Sequence, residues 1–106
     1  MAPGAVTAVQ SPSAFSNALR PCYPNPFNPR VTIPFDLRQD GNLTLSVYDV
    51  SGRLVKTLVN EWTRAGSHIV SWDGRSDLGA QISSGVYFCR LRTGGFTETR
   101  KIVMLK

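Results

Sequence analysis

His68 is the only histidine in the chain. Imidazole is the side chain best suited to moving protons near neutral pH, and in hydrolases it works beside a nucleophile and an orienting carboxylate. No such pattern surrounds His68, which shares a strand face with Val70 and Trp72 and reads as a partly buried structural residue. Asp36, Asp40, Asp49, Glu61 and Glu98 show no pairing suited to general acid–base work. Asp73 and Asp77 lie in the run Asp73-Gly74-Arg75-Ser76-Asp77-Leu78-Gly79. Calcium loops use oxygens at positions 1, 3 and 5, and the third position here is Arg75, whose charge repels the ion. Asx-turn chemistry accounts for the run better. Gly94-Gly95 reads as a hairpin turn, with no helix after it to bind phosphate. No catalytic residue, metal site or cofactor is expected.

Cys22 and Cys89 are too far apart in sequence for a metal-ligand spacing. Two readings are open. In an oxidising compartment they form a disulfide, worth about 4 kcal/mol on chain-entropy grounds. Otherwise they are two unpaired buried thiols.

The run Tyr23-Pro24-Asn25-Pro26-Phe27-Asn28-Pro29 holds three of the seven prolines. Each proline fixes φ, removes a backbone donor and pushes the preceding residue towards extended geometry. The segment is a stiff lead-in that cannot join the middle of a sheet. Read structurally, its asparagines cap local turns. Read functionally, it is a recognised surface, and the two readings are compatible.

From position 19 onward the period is close to two. A short strand is expected at 19–23. Val31, Ile33, Phe35 and Leu37 alternate with Thr32, Pro34, Asp36 and Arg38, with Pro34 marking an edge or a bulge. Leu43, Leu45 and Val47 form the next inward row, followed by a tight turn at 49–52 and a returning strand at 53–59. A loop carrying Trp62 is expected at 60–66. Strands follow at 68–72, 86–92 and 96–105, with the longest loop at 73–84 and a turn at 93–95. Seven strands at this spacing, with no helical pattern, predict an all-β fold: a seven-stranded antiparallel immunoglobulin-like β-sandwich over residues 19–106. Residues 1–18 are uncharged and read as a linker or extended arm. Phe15 lies in that arm and needs a pocket, while Trp62 and Phe96 are contact anchors or peripheral core.

A chain of 106 residues is one domain, with 42% hydrophobic and 18% charged residues. The net charge of +5 comes from bases scattered along the sequence, nine of the twelve being Arg, and no cluster marks a nucleic-acid site. No run approaches the ~20 apolar residues of a membrane span, so neither nucleic-acid binding nor membrane insertion is expected. The first twenty residues lack the charge and apolar core of a signal peptide. The chain is thus expected to be either a fragment cut from a longer secreted protein or a complete protein not exported by that route.

Five motifs occur in order. They are the 23–29 run, Val47-Tyr48-Asp49-Val50-Ser51-Gly52-Arg53, Trp72-Asp73-Gly74-Arg75, Ser84-Gly85-Val86-Tyr87-Phe88, and Arg100-Lys101-Ile102-Val103-Met104-Leu105-Lys106. Together they resemble the C-terminal sorting domain of type IX secretion cargo, a module similar to the sandwich domain of flagellar hook-capping proteins. The resemblance implies a noncatalytic module at the C-terminus of a secreted passenger. Outer-membrane secretion machinery would recognise it in the periplasm, and delivery would be to the cell surface or the exterior. It also implies the recognition residues: Pro24, Asn25, Pro26, Phe27, Asn28, Pro29, Gly85, Tyr87, Lys101 and Lys106. An aromatic is expected at 89 and a polar residue at 22, yet both are Cys, which favours a disulfide between the lead-in and the sixth strand. The alternative function is a structural subunit of an extracellular filament, sheath or shell, in which copies of the chain join through the arm and Phe15 is buried on a neighbour.

Overall fold

The computed structural model describes residues 16–106. Residues 1–15 of the expected 1–18 arm, and with them the expected contact at Phe15, lie outside the described residues.

Seven strands form in that region: β1 (Ala18–Leu19), β2 (Val31–Leu37), β3 (Gly41–Asp49), β4 (Leu54–Thr63), β5 (Gly66–Trp72), β6 (Gly85–Thr93) and β7 (Phe96–Met104). All strand pairings are antiparallel, and they divide into two sheets, β1-β2-β5 and β4-β3-β6-β7. The chain crosses between the sheets after β2, β4 and β5, so the fold is an all-β sandwich. The alternation read from the sequence sets its inner faces. Val31, Ile33, Phe35 and Leu37 of β2 face Leu43, Leu45 and Val47 of β3 and Tyr87, Cys89 and Leu91 of β6 in one buried cluster. Side chains two residues apart point to the same face, so one row per strand fills the core and its neighbours meet solvent.

Two local features depart from the simple alternation. Pro34 sits on the middle strand of its sheet, opposite Ile69, and not at an edge. Its carbonyl accepts from Arg20 N–H at 3.0 Å, so its missing donor falls on the side of the two-residue β1. There the loss breaks no extended ladder. The second departure is in β4. Register shifts opposite Leu45/Ser46 and Val47/Tyr48 leave Leu58 and Val55 without direct partners, and both turn onto the core. Each bulge adds a residue and bends the strand. Beyond them β4 continues to Thr63, so Trp62 is an exposed residue of an edge strand, paired with Asn42, and not part of a loop. Phe96 is partly buried against the core.

His68 is half-buried, stacked on Phe35 at 5.2 Å between ring centroids, and its Nε2 donates to the Arg64 carbonyl at 2.7 Å. Both partners are structural, as the strand pattern predicts.

Candidate recognition surface

Four of the five motifs assemble at one end of the sandwich. The lead-in, with its Tyr23–Pro24, Asn25–Pro26 and Asn28–Pro29 bonds in cis, reaches the outer edge of β7. Phe27 is the pivot. Its side chain is buried against Trp72, with ring centroids 5.8 Å apart and planes tilted by 48°. Tilted aromatic pairs of this kind stabilise beyond the area they bury. Its backbone donates to the Val103 carbonyl at 2.8 Å and accepts from Leu105 N–H at 3.0 Å, forming a parallel bridge to Met104.

Asn25 extends this pairing without using its backbone. Its Oδ1 accepts from Val103 N–H at 2.9 Å, and its Nδ2 donates to the Lys101 carbonyl at 3.1 Å. A carboxamide carries a donor and an acceptor side by side, like a peptide group. Here it replaces the ladder that the flanking prolines cannot supply. The turn-capping role expected of the asparagines is therefore not the role of Asn25, which bonds across the fold.

The Trp72–Arg75 motif closes over the other side. Trp72 Nε1 donates to the Arg75 carbonyl at 2.9 Å, and Asp73 Oδ1 accepts from Arg75 N–H at 3.1 Å, an Asx turn. Gly74 has φ +78°, and a Cβ placed there would meet the Pro29 carbonyl oxygen at 3.0 Å. Glycine fits this left-handed position without steric cost and lets the two backbones approach. Gly74 also accepts from Ile82 N–H at 3.0 Å, linking the long loop back to the motif.

The Ser84–Phe88 motif completes the end. Gly85 has φ +155°, a backbone conformation that L side chains rarely adopt. Tyr87 is buried 6.4 Å from Trp72, and its hydroxyl donates to the Ser83 carbonyl at 2.7 Å, as in a tyrosine corner. Burial and the nearby Asp49 charge push its phenol above its ordinary range. Ser84 Oγ accepts from Lys106 N–H at 3.0 Å and fixes the chain beyond β7. The fifth motif, at 47–53, packs behind this group. Asp49 pairs with Tyr87 in register and caps its own turn through Ser51 and Arg53, which hold its carboxyl below the usual range. Asp49, Arg53 and Tyr87 line a cleft of ≈ 400 Å³.

Of the residues singled out from the sequence, Pro24, Asn25, Pro26, Asn28, Pro29, Lys101 and Lys106 are exposed around this end. Gly85 is half-buried, whereas Phe27 and Tyr87 are buried and act on the surface from within. Ser84 and Gly74 were not legible as parts of one site, since each acts through a contact distant in sequence, with Lys106 and with Pro29. Among the described residues, no three His, Cys, Asp or Glu side chains come together as a metal site would require.

The edge of β7 between Lys101 and Leu105 is occupied by Asn25 and Phe27. A strand from a partner therefore finds those groups already paired. What this end offers is a fixed relief of proline rings, the Asn28 side chain, and the charges of Lys101 and Lys106.

The family model described as "Secretion system C-terminal sorting domain" matches residues 21–105. Among solved structures, the chain is similar to dimeric latent PorU from Porphyromonas gingivalis, with 25% identity and a TM-score of 0.60 over 84% of this chain and 9% of that one. It is also similar to FlgD from P. aeruginosa, with 25% identity and a TM-score of 0.55 over 70% of this chain and 57% of that one. The chain thus spans a small part of the first and little more than half of the second. No curated protein matches it.

Proposed function

This chain belongs to the family of secretion system C-terminal sorting domains, and on that premise we propose that its work is done by being gripped, without catalysis. As a type IX sorting domain it marks a passenger protein for secretion to the exterior or the cell surface. In this reading the outer-membrane machinery meets the folded module in the periplasm and reads the end of the sandwich where the proline segment and β7 join. The observation that carries the proposal is the pairing of Asn25 and Phe27 with residues 101–105, which makes two distant motifs one rigid surface. Rigid presentation favours affinity because little ordering entropy is left to lose on binding. Proline rings and exposed lysine charges then supply shape and electrostatic complementarity, which favours one partner over others.

The test is to fuse the full chain to a reporter behind an export signal in a type IX-competent host. Surface delivery that is lost on deleting residues 101–106 supports the reading. That deletion also removes Ile102 and Met104 from the core, so the exposed pair Lys101→Glu and Lys106→Glu is measured beside it. Loss of delivery by this folded variant supports recognition at this end. Unchanged delivery by both variants overturns it.

A further inference from the structure

Cys22 and Cys89 belong to the one buried cluster between the sheets and enter it from opposite sides. Cys22 lies between β1 and the antiparallel bridge of Tyr23 to Thr32, on the three-stranded side. Cys89 lies within β6, flanked in register by Val47 and Arg100. Both are free thiols and both are buried, Cys89 completely. Each is the leading influence on the other's proton affinity. The hydrogen bond with Cys89 pulls the Cys22 thiol below its ordinary range against burial, with help from the Arg100 charge. The same bond, together with burial, pushes Cys89 far above it. Arg100 is held in place by donating from Nε to the Leu19 carbonyl at 2.8 Å. Cys22 Sγ lies 4.0 Å from the Arg20 carbonyl, which faces Pro34, a residue with no N–H to give it. Cys22 is 6% exposed and Cys89 0%, so Cys22 is the sulfur that an oxidant reaches first.

We propose that Cys22 and Cys89 close an intersheet disulfide when the chain folds in an oxidising compartment, and that this bond fixes the root of the proline segment to β6. The compartment rests on the export reading above, while the bond itself rests on the juxtaposition of the two side chains. The oxidant is a disulfide, R–S–S–R, carried by a small molecule or a protein. The Cys22 thiolate attacks one of its sulfurs, forms a mixed disulfide and expels RS⁻, which takes up the proton that Cys22 released. Cys89 then gives up its proton and its sulfur attacks that of Cys22, expelling the second RS⁻, which is protonated in turn. Two electrons pass from the protein thiols to the oxidant, which leaves as two thiols. Both sulfurs are buried in the folded chain, so the exchange takes place before folding is complete.

The test uses the full chain, refolded from urea with glutathione disulfide or with dithiothreitol. The oxidised product is expected to be lighter by two hydrogens, to carry no thiol that alkylates after denaturation, and to yield a peptide linking Cys22 to Cys89. Its urea midpoint is expected above that of the reduced chain, a shift absent from Cys22→Ala and Cys89→Ala. The oxidised and reduced samples share one sequence, so poor folding of a variant leaves their comparison intact. Two alkylatable thiols, a persistent glutathione adduct, disulfide-linked dimers, or an internal bond with no rise in midpoint would each overturn the proposal. Lost surface delivery of the reporter would leave this result standing, and the converse also holds.

Discussion

Asn25 bonds both to Val103 N–H, at 2.9 Å, and to the carbonyl two residues before it, at 3.1 Å, so one side chain spans a segment of the β7 edge. These bonds are exposed, where a net hydrogen bond contributes about 1 kcal/mol or less. Asn25→Ala is expected to lower the unfolding free energy by about 1 kcal/mol and to speed hydrogen exchange at the Val103 amide selectively. Asn25→Asp keeps the acceptor and loses the donor, and is expected to protect that amide more than Ala does. If the Val103 amide exchanges equally in all three proteins, the side chain is not what covers the edge.

Phe27 separates the inner from the outer role of the same segment. Its ring is 1% exposed, and Phe→Ala in a core typically costs about 3–5 kcal/mol. A loss of that size is expected for Phe27→Ala in chemical denaturation. Asn28→Ala, on the exposed rim, is expected to stay within about 0.5 kcal/mol of wild type. In the reporter assay the order of interest is different. Phe27→Ala is expected to lower delivery in proportion to the unfolded fraction, and Asn28→Ala to act, if at all, on a folded protein. Comparable stabilities for the two variants would contradict the burial of Phe27.

Gly74 joins two motifs by absence of a side chain. A Cβ there would stand 3.0 Å from the Pro29 carbonyl oxygen, on a backbone with φ +78°. Left-handed geometry alone costs a non-glycine residue about 1–2 kcal/mol. Gly74→Ala is expected to cost at least that, since the clash is with backbone and not with a flexible side-chain tip. Gly79, also at positive φ, has open space around its Cβ position. Gly79→Ala is therefore expected to be the milder change, and thermal melts of the two variants check the order.

The strands and the inward rows were legible because a period of two is a local signal, and each of β2, β3, β6 and β7 carries it plainly. The end of β4 was not. Its bulges at Val55 and Leu58 break the alternation, so the sequence from Asn60 onward looked like a loop although the backbone stays paired to Thr63. Pro34 misled in the same way, since proline reports a missing donor but not which side of the strand it faces. At the end where the proline segment meets β7 the motifs themselves were legible, and their union was not. The link runs through Asn25 to β7 and through Gly74 to Pro29, contacts between residues whose separation in sequence carries no periodic trace.

Asp36 provides a test by pH. Its carboxylate is 4% exposed and accepts from Arg20 Nε at 2.8 Å and from the Ser67 hydroxyl at 2.9 Å. The Arg20 guanidinium is the main reason its pKa falls below the usual carboxylate range, with burial opposing. In the unfolded chain the same group titrates near ~3.9. Between the two values the unfolded state binds the proton more readily, so acid favours unfolding. The stabilisation from Asp36 is therefore complete above the unfolded value and is lost as pH falls through the lower, folded value. Asp36→Asn lacks this titration. Urea midpoints are expected to differ most between wild type and variant near pH 7. The gap is expected to hold down to about pH 5 and then to narrow steadily below about pH 4, on the unfolded reference value. A gap that widens on acidification would mean that the folded carboxyl binds its proton more tightly than the unfolded one, and that Arg20 does not govern it.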